Sequence, residues 1–252
     1  MGPTLTLLQH STYFLFTIVI NNPRMAAATI PSALFDFLRD LTANNRRDWF
    51  QANKARYLAE ARDPMLAFIR AFAAPLAAVS PHFVADPRPN GGSLFRIYRD
   101  LRFSRDKTPY KTNIGAHFRH AAGKDVHAPG FYLHLDPERC FAAAGVWRPG
   151  GPVVRRIREA IVENPDAWLA VTRAPDFHET FELHGGSLKR PPRGFPKDHP
   201  LIADLKRTDF VAVANLTEAE VTAPDFLDRF ARLTRRAAPF TALLSRAAGV
   251  PF

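Results

Sequence analysis

GFYLHLDPERCFAAAGV, residues 130–146, decides the fold class of this chain. Phe131, Leu133 and Leu135 alternate with Tyr132, His134 and Asp136, so a strand there has one apolar and one polar face. Asp136-Pro137-Glu138-Arg139 places proline second in a type I turn, and residues 140–146 return as the partner strand. Such a hairpin is the seed of an antiparallel sheet.

On the N-terminal side the spacing changes to three and four. Residues 30–41 read as a helix through Leu34, Phe37, Leu38 and Leu41. Asn44 or Asn45, followed by Asp48, reads as the N-cap of a helix from Arg46 that carries Trp49, Phe50, Asn53 and Tyr57 on one stripe. Asp63-Pro64 can restart it, and Met65, Phe68, Ile69, Phe72 and Leu76 form a second stripe. Beyond the hairpin, residues 149–152 open a helix through Ile157 and Ile161, and residues 165–171 form another. Residues 177–183 read as a strand ended by Gly185-Gly186, and the proline-rich stretch 189–200 as an ordered loop. A short helix over 201–207 and a strand over 210–214 follow. Thr222 with Asp225 caps a last helix that buries Phe226, Phe230, Leu233, Ala237 and Phe240. There is no repeat and no linker. The expectation is one α+β domain over residues 25–252, with a central, mainly antiparallel sheet and helices packed on it from the N- and C-terminal segments.

Residues 1–24 read as an extension outside this domain, a mis-assigned start or loose tail, with Met25 the expected initiator. The apolar run 13–20 is shorter than the roughly 20 residues needed to span a bilayer, and no membrane partner is expected. With 46% hydrophobic residues and 21 Phe in 252, the chain can bury a large core, which excludes wholesale disorder. The one cysteine, Cys140, cannot form an internal disulfide and reads as a packed thiol, in keeping with a cytoplasmic location.

The net charge of +10 is concentrated. Between Arg88 and Lys124 nine Lys/Arg face only Asp100 and Asp106, a surplus of seven. At its centre lies LFRIYRDLRFSRDKTPYKTN, residues 94–113. Phe95, Ile97, Leu101 and Phe103 share one parity, and Arg96, Tyr98, Asp100 and Arg102 the other, which predicts a strand with Arg99 out of pattern near a bulge or strand end. The polar loop after it offers Ser104, Lys107, Tyr110, Lys111 and Asn113. Arginine's planar fork and lysine's compact charge suit phosphate or carboxylate, and surface ion pairs worth about 0–1 kcal/mol explain such a cluster poorly through stability alone. The expected binding set is Arg96, Tyr98, Arg99, Arg102, Ser104, Lys107, Tyr110, Lys111 and Asn113. Asp100, Asp106 and His134 are the candidate acid/base residues, His134 because it shares a face with Tyr132 and Asp136.

His117, His120 and His127 lack the spacing of a metal site, and no metal or cofactor is expected. No phosphate-binding loop, dinucleotide fingerprint, nucleophile elbow or kinase signature is present. Trp49, Tyr57 and Trp147 are expected in the core.

RIYRDLRFSRDKTPYKTNIGAHF, residues 96–118, resembles the signature of a bacterial and fungal family catalogued as domain of unknown function 2461. The likeness extends to Asn45-Arg46-Arg47-Asp48-Trp49-Phe50 with Asn53 and Tyr57, to residues 130–135, Gly145, Trp147 and the helix 157–161, and to residues 195–210. Leu101 stands where the family often has Thr, and Arg105 where it often has Lys. The resemblance implies a single cytoplasmic-type domain and brings no activity, substrate or catalytic assignment. The residues point to an anionic small molecule, phosphorylated or carboxylated, as the partner. The alternatives are an enzyme acting on such a ligand, for instance a phosphoester hydrolase, and nucleic-acid binding without a recognisable module. The oligomeric state stays open.

Overall fold

The 130–146 hairpin is the middle of a five-stranded antiparallel sheet. In the computed structural model, which describes residues 28–123 and 127–252, β1 (Ile114–Arg119), β2 (Gly130–Leu135), β3 (Cys140–Val146), β4 (Glu182–His184) and β5 (Phe210–Leu216) lie in the order β1-β2-β3-β5-β4. The Arg139 N–H donates to the Asp136 carbonyl at 3.1 Å and closes the turn. Register pairs Tyr132 with His117 and Ala143, and pairs Gly145 with Gly130 and Val211. The extension proposed for residues 1–24, and Lys124, lie outside the described residues.

Helices cover one face. They are α1 (Ser32–Ala43), α2 (Arg47–Ala52), α3 (Lys54–Arg56), α4 (Asp63–Val79), α5 (Gly151–Glu163), α6 (Pro165–Thr172), α7 (Pro175–His178), α8 (Ile202–Leu205), α9 (Glu218–Thr222) and α10 (Phe226–Ala248), with a π-helical turn, Tyr57–Arg62, leading into α4. The stripe at spacings of three and four puts Phe68 and Phe72 of α4 against Phe226 and Phe230 of α10. Phe72 meets Phe118 of β1 and Phe230 at 4.8 Å between ring centroids in each case. All are buried, and each such ring contributes about 1.5–3 kcal/mol. Among the described residues the opposite face of the sheet carries no helix.

Four local expectations are corrected. Residues 95–103 form no regular strand: Leu94 and Tyr98 make isolated bridges to Ala116 and Tyr110, and Phe103 is 95% exposed. The aspartates explain why. Asp100 accepts from the Arg102 N–H at 3.2 Å and Asp106 from the Thr108 N–H at 2.9 Å, local turns that satisfy the backbone in place of a ladder. In 177–183, Pro175 starts a helical turn in which Phe177 and Phe181 pack at 5.2 Å, and only Glu182–His184 pairs as a strand. Thr217 with Glu220, rather than Thr222 with Asp225, makes the capping box, and it opens α9. Neither Asn44 nor Asn45 caps α2, whose N-cap is Arg46.

Candidate functional site

Asn45 has another task. Its side chain accepts from the Tyr110 N–H at 3.1 Å and donates to the Tyr110 carbonyl at 3.0 Å, tying the basic segment to the start of α2. The segment runs as a two-legged strap along the outer edge of β1. The outgoing leg is fixed by the His117 N–H donating to Ser93 O (2.8 Å) and the Phe95 N–H donating to Gly115 O (2.9 Å). The returning leg is fixed by Arg99 N–H to Pro109 O (3.0 Å) and Lys111 N–H to Ile97 O (2.8 Å). Tyr110 stacks on Phe50 at 4.0 Å, and Tyr98 meets Phe50 edge-on.

The strap divides its cations into two groups. At the outer loop Arg99 donates to Asp106, Thr108 and Ser104. Arg102 grips both oxygens of Asp100, the closest contact being 2.6 Å, and Lys107 donates to the Leu101 carbonyl at 3.1 Å. The Arg102 hydrogen bonds hold the Asp100 carboxyl at about 2. The Thr108 N–H, followed by Arg99, does the same for Asp106, also at about 2. Both carboxylates are ionised at neutral pH.

Near the sheet the balance differs. Among the described residues neither Arg96 nor Lys111 takes part in a salt bridge. The Lys111 ammonium lies 5.3 Å from the centre of the Phe95 ring, and burial, with the Arg96 charge beside it, pulls its pKa below the ordinary lysine value. Asn113 and His134 meet here: the Tyr132 hydroxyl lies 3.0 Å from His134 Nδ1, and the Asn113 amide nitrogen 3.5 Å from it. If the Tyr132 hydroxyl donates to Nδ1, the neutral ring carries its proton on Nε2. Burial lowers the His134 pKa, Asp136 opposes this, and Arg139 reinforces it, so the imidazole is neutral in the folded protein. A depressed histidine stabilises the fold above its unfolded pKa, about 6.5, and that stabilisation is lost as pH falls through the folded value. The melting temperature should therefore drop more between pH 7 and pH 5 in wild type than in His134→Gln (about neutral to mildly acid). Parallel curves for the two proteins would show that His134 is not protonated on unfolding.

The face of the sheet opposite α10 forms a hollow of about 430 Å³ that begins at Phe95. Its floor includes Ala143, Gly145, Val211 and Val213, and its walls Tyr132, Phe141 and Trp147. Trp147, expected in the core, is 49% exposed at the mouth. Trp49 and Tyr57 do pack with the core. Burial of the Tyr132 phenol raises its pKa to about 12, so it stays protonated and serves as a donor.

A family profile described as a conserved hypothetical protein, DUF2461, matches residues 33–242. The chain belongs to this family. No curated protein matches it.

The matched residues of this DUF2461 domain include both the strap and the sheet face. The sequence points to the basic segment and to His134 but not to the hollow, whose residues come from Phe95 of the strap, from all five strands, and from residues 139, 147 and 185 beside them. The signal present was the polar side of the 130–135 alternation. Its partners across the sheet have no sequence signal of their own. Among the described residues no helix is long and apolar enough to cross a membrane, and no group of three or more His, Cys, Asp or Glu side chains is placed to hold a metal ion.

Proposed function

We propose that this DUF2461 domain binds a small anionic ligand, phosphorylated or carboxylated, at the sheet end of the strap. The observation that carries this reading is Lys111: a half-buried ammonium over the Phe95 ring, with a second cation beside it and, among the described residues, no carboxylate bridging to it. A buried charge without a counterion is unfavourable, and an anion seated between Lys111 and Arg96 would relieve both burial and repulsion. Asn113 and the phenols of Tyr98 and Tyr110 would shape the position. Lys107, with the aspartate-paired Arg99 and Arg102, would supply an outer positive field that steers the ligand in, and Ser104 a neutral hydrogen-bond donor. In this reading Asp100 and Asp106 orient the arginines, because carboxylates held near 2 are weak proton acceptors at neutral pH.

Lys111→Met should weaken binding of phosphate or of a carboxylate ligand by about tenfold or more, the loss of one charge-assisted contact. The variant should melt at the same or a higher temperature than wild type, since it removes a desolvated cation. Calorimetric titration with a panel of phosphorylated and carboxylated compounds, with melting curves in parallel, measures both. A Lys111→Met protein that binds as wild type does, or a wild type that responds to no member of the panel, would refute the proposal.

A further inference from the structure

We infer that the hollow on the open sheet face holds a flat ring of the same ligand, which makes the ligand class an aryl or heteroaryl phosphate, phosphonate or carboxylate. The inference rests on the anion reading and adds a second half to the site. Phe95 joins the two halves. Its ring carries the Lys111 ammonium at 5.3 Å and packs on Tyr132 at 5.9 Å, so the charged end and the apolar end share one wall.

The shape of the floor favours a flat occupant. A Cβ at Gly115 would lie 2.4 Å from the Tyr132 hydroxyl, and one at Gly130 2.4 Å from His117 Nε2. Both rings therefore lie down along the sheet over a neighbouring glycine instead of standing up from it, and the space above stays open. A volume of about 430 Å³ falls within the roughly 300–1,000 Å³ of small-molecule sites. The mouth is held with strain. Arg148, next to Trp147, adopts φ 46°, a left-handed conformation that a non-glycine residue holds only when its surroundings impose it. Buried Asp209 imposes it, accepting from the Arg148 N–H at 2.7 Å and from the Gly186 N–H at 2.9 Å. The result is a half-exposed indole at the rim with the Arg148 guanidinium 4.7 Å from its ring centre, while Arg139 lies 5.0 Å from the centre of Phe141. Aromatic walls edged by guanidinium groups suit a ring bearing negative charge and disfavour a cationic one.

The full-length chain is titrated with naphthylphosphonate, methylphosphonate and neutral naphthalenemethanol. Naphthylphosphonate should bind at least about tenfold more tightly than methylphosphonate and quench tryptophan emission, and Trp147→Ala should reduce both effects. Ala143→Phe, which fills the floor, should abolish the difference and leave methylphosphonate affinity unchanged. Equal affinity for the two phosphonates in wild type, a comparison that needs no variant, would overturn the ring site. If that shared affinity still falls in Lys111→Met, the anion reading survives alone. Binding of naphthalenemethanol that Ala143→Phe removes, without response to methylphosphonate, would keep the ring site and reject the anion reading. Silence towards all three probes rejects both. A dimer that Trp147→Ala dissociates, with no probe bound, would assign the face to a second copy and likewise overturn the ring site.

Discussion

Gly145→Ala should leave the protein largely unfolded at room temperature in mild denaturant. Gly145 has φ 125°, in a region that side-chain-bearing residues rarely adopt. A Cβ built there lies 2.0 Å from the Phe210 carbonyl oxygen and 3.0 Å from its carbon. The obstacle is the backbone of β5, which is hydrogen-bonded to β3 at this register, so no side-chain rotation can relieve it. The Phe240 ring, 3.1 Å away, closes the remaining direction. Conformational strain of about 1–3 kcal/mol adds to a clash that shifts the central strand pair, and a total loss of about 4 kcal/mol or more is expected. That is a large share of the roughly 5–15 kcal/mol by which domains are stable. The urea midpoint measures it, and a loss under about 1 kcal/mol would show that β3 and β5 can part locally at little expense.

Asp209→Ala should be the next most damaging change, at about 3 kcal/mol, through a different mechanism. The carboxylate is buried and accepts from the N–H groups of Arg148 and Gly186 and from the Thr208 hydroxyl at 2.9 Å. Burial alone would raise its pKa, but these hydrogen bonds and the Arg148 charge outweigh burial and hold it below the usual carboxylate value. Removing it strands the donors and frees Arg148 from its strained conformation. The part of the loss due to strain release is returned, so the net should fall short of the Gly145 variant. The depressed carboxyl stabilises the fold above its unfolded pKa of about 3.9, and wild type should lose that increment only as pH falls through the lower folded value. Denaturant curves at neutral pH check the magnitude, and a change under about 0.5 kcal/mol would mean that solvent replaces the carboxylate at no net penalty.

Parts of this molecule are legible in sequence for clear reasons. The 130–146 hairpin shows because alternation and an Asp-Pro turn agree, and α4 and α10 show because their phenylalanines repeat at helical spacing. The alternation over 95–103 predicts a strand, and the structure has a strap with isolated bridges in its place. A period-two run is also compatible with aspartates that turn the backbone back on itself, and residues 100 and 106 do this. Which cations are already partnered was equally hidden. Arg99 and Arg102 find carboxylates within seven residues, whereas Lys111 and Arg96 form no salt bridge among the described residues, and only the folded strap separates the two groups. The hollow could not be read at all. It requires Gly130 to sit beside Gly145, and Gly145 beside Val211, a coincidence of strand register. Trp147 reads as core by composition, yet the left-handed turn at Arg148 leaves it at the surface.

The strand order also governs how the chain can assemble in time. β2 and β3 are joined by a tight turn and can zip together at once. The other side of β3 waits for residues 210–216, which arrive only after the whole of 147–209 has been made. Closing so long a loop is slow, since its entropy is surrendered before any contact rewards it. Until then β4, already made, has no neighbour to pair with. Residues 210–216 therefore set the tempo, and a growing chain must keep its first strands from straying until residue 216 has left the ribosome.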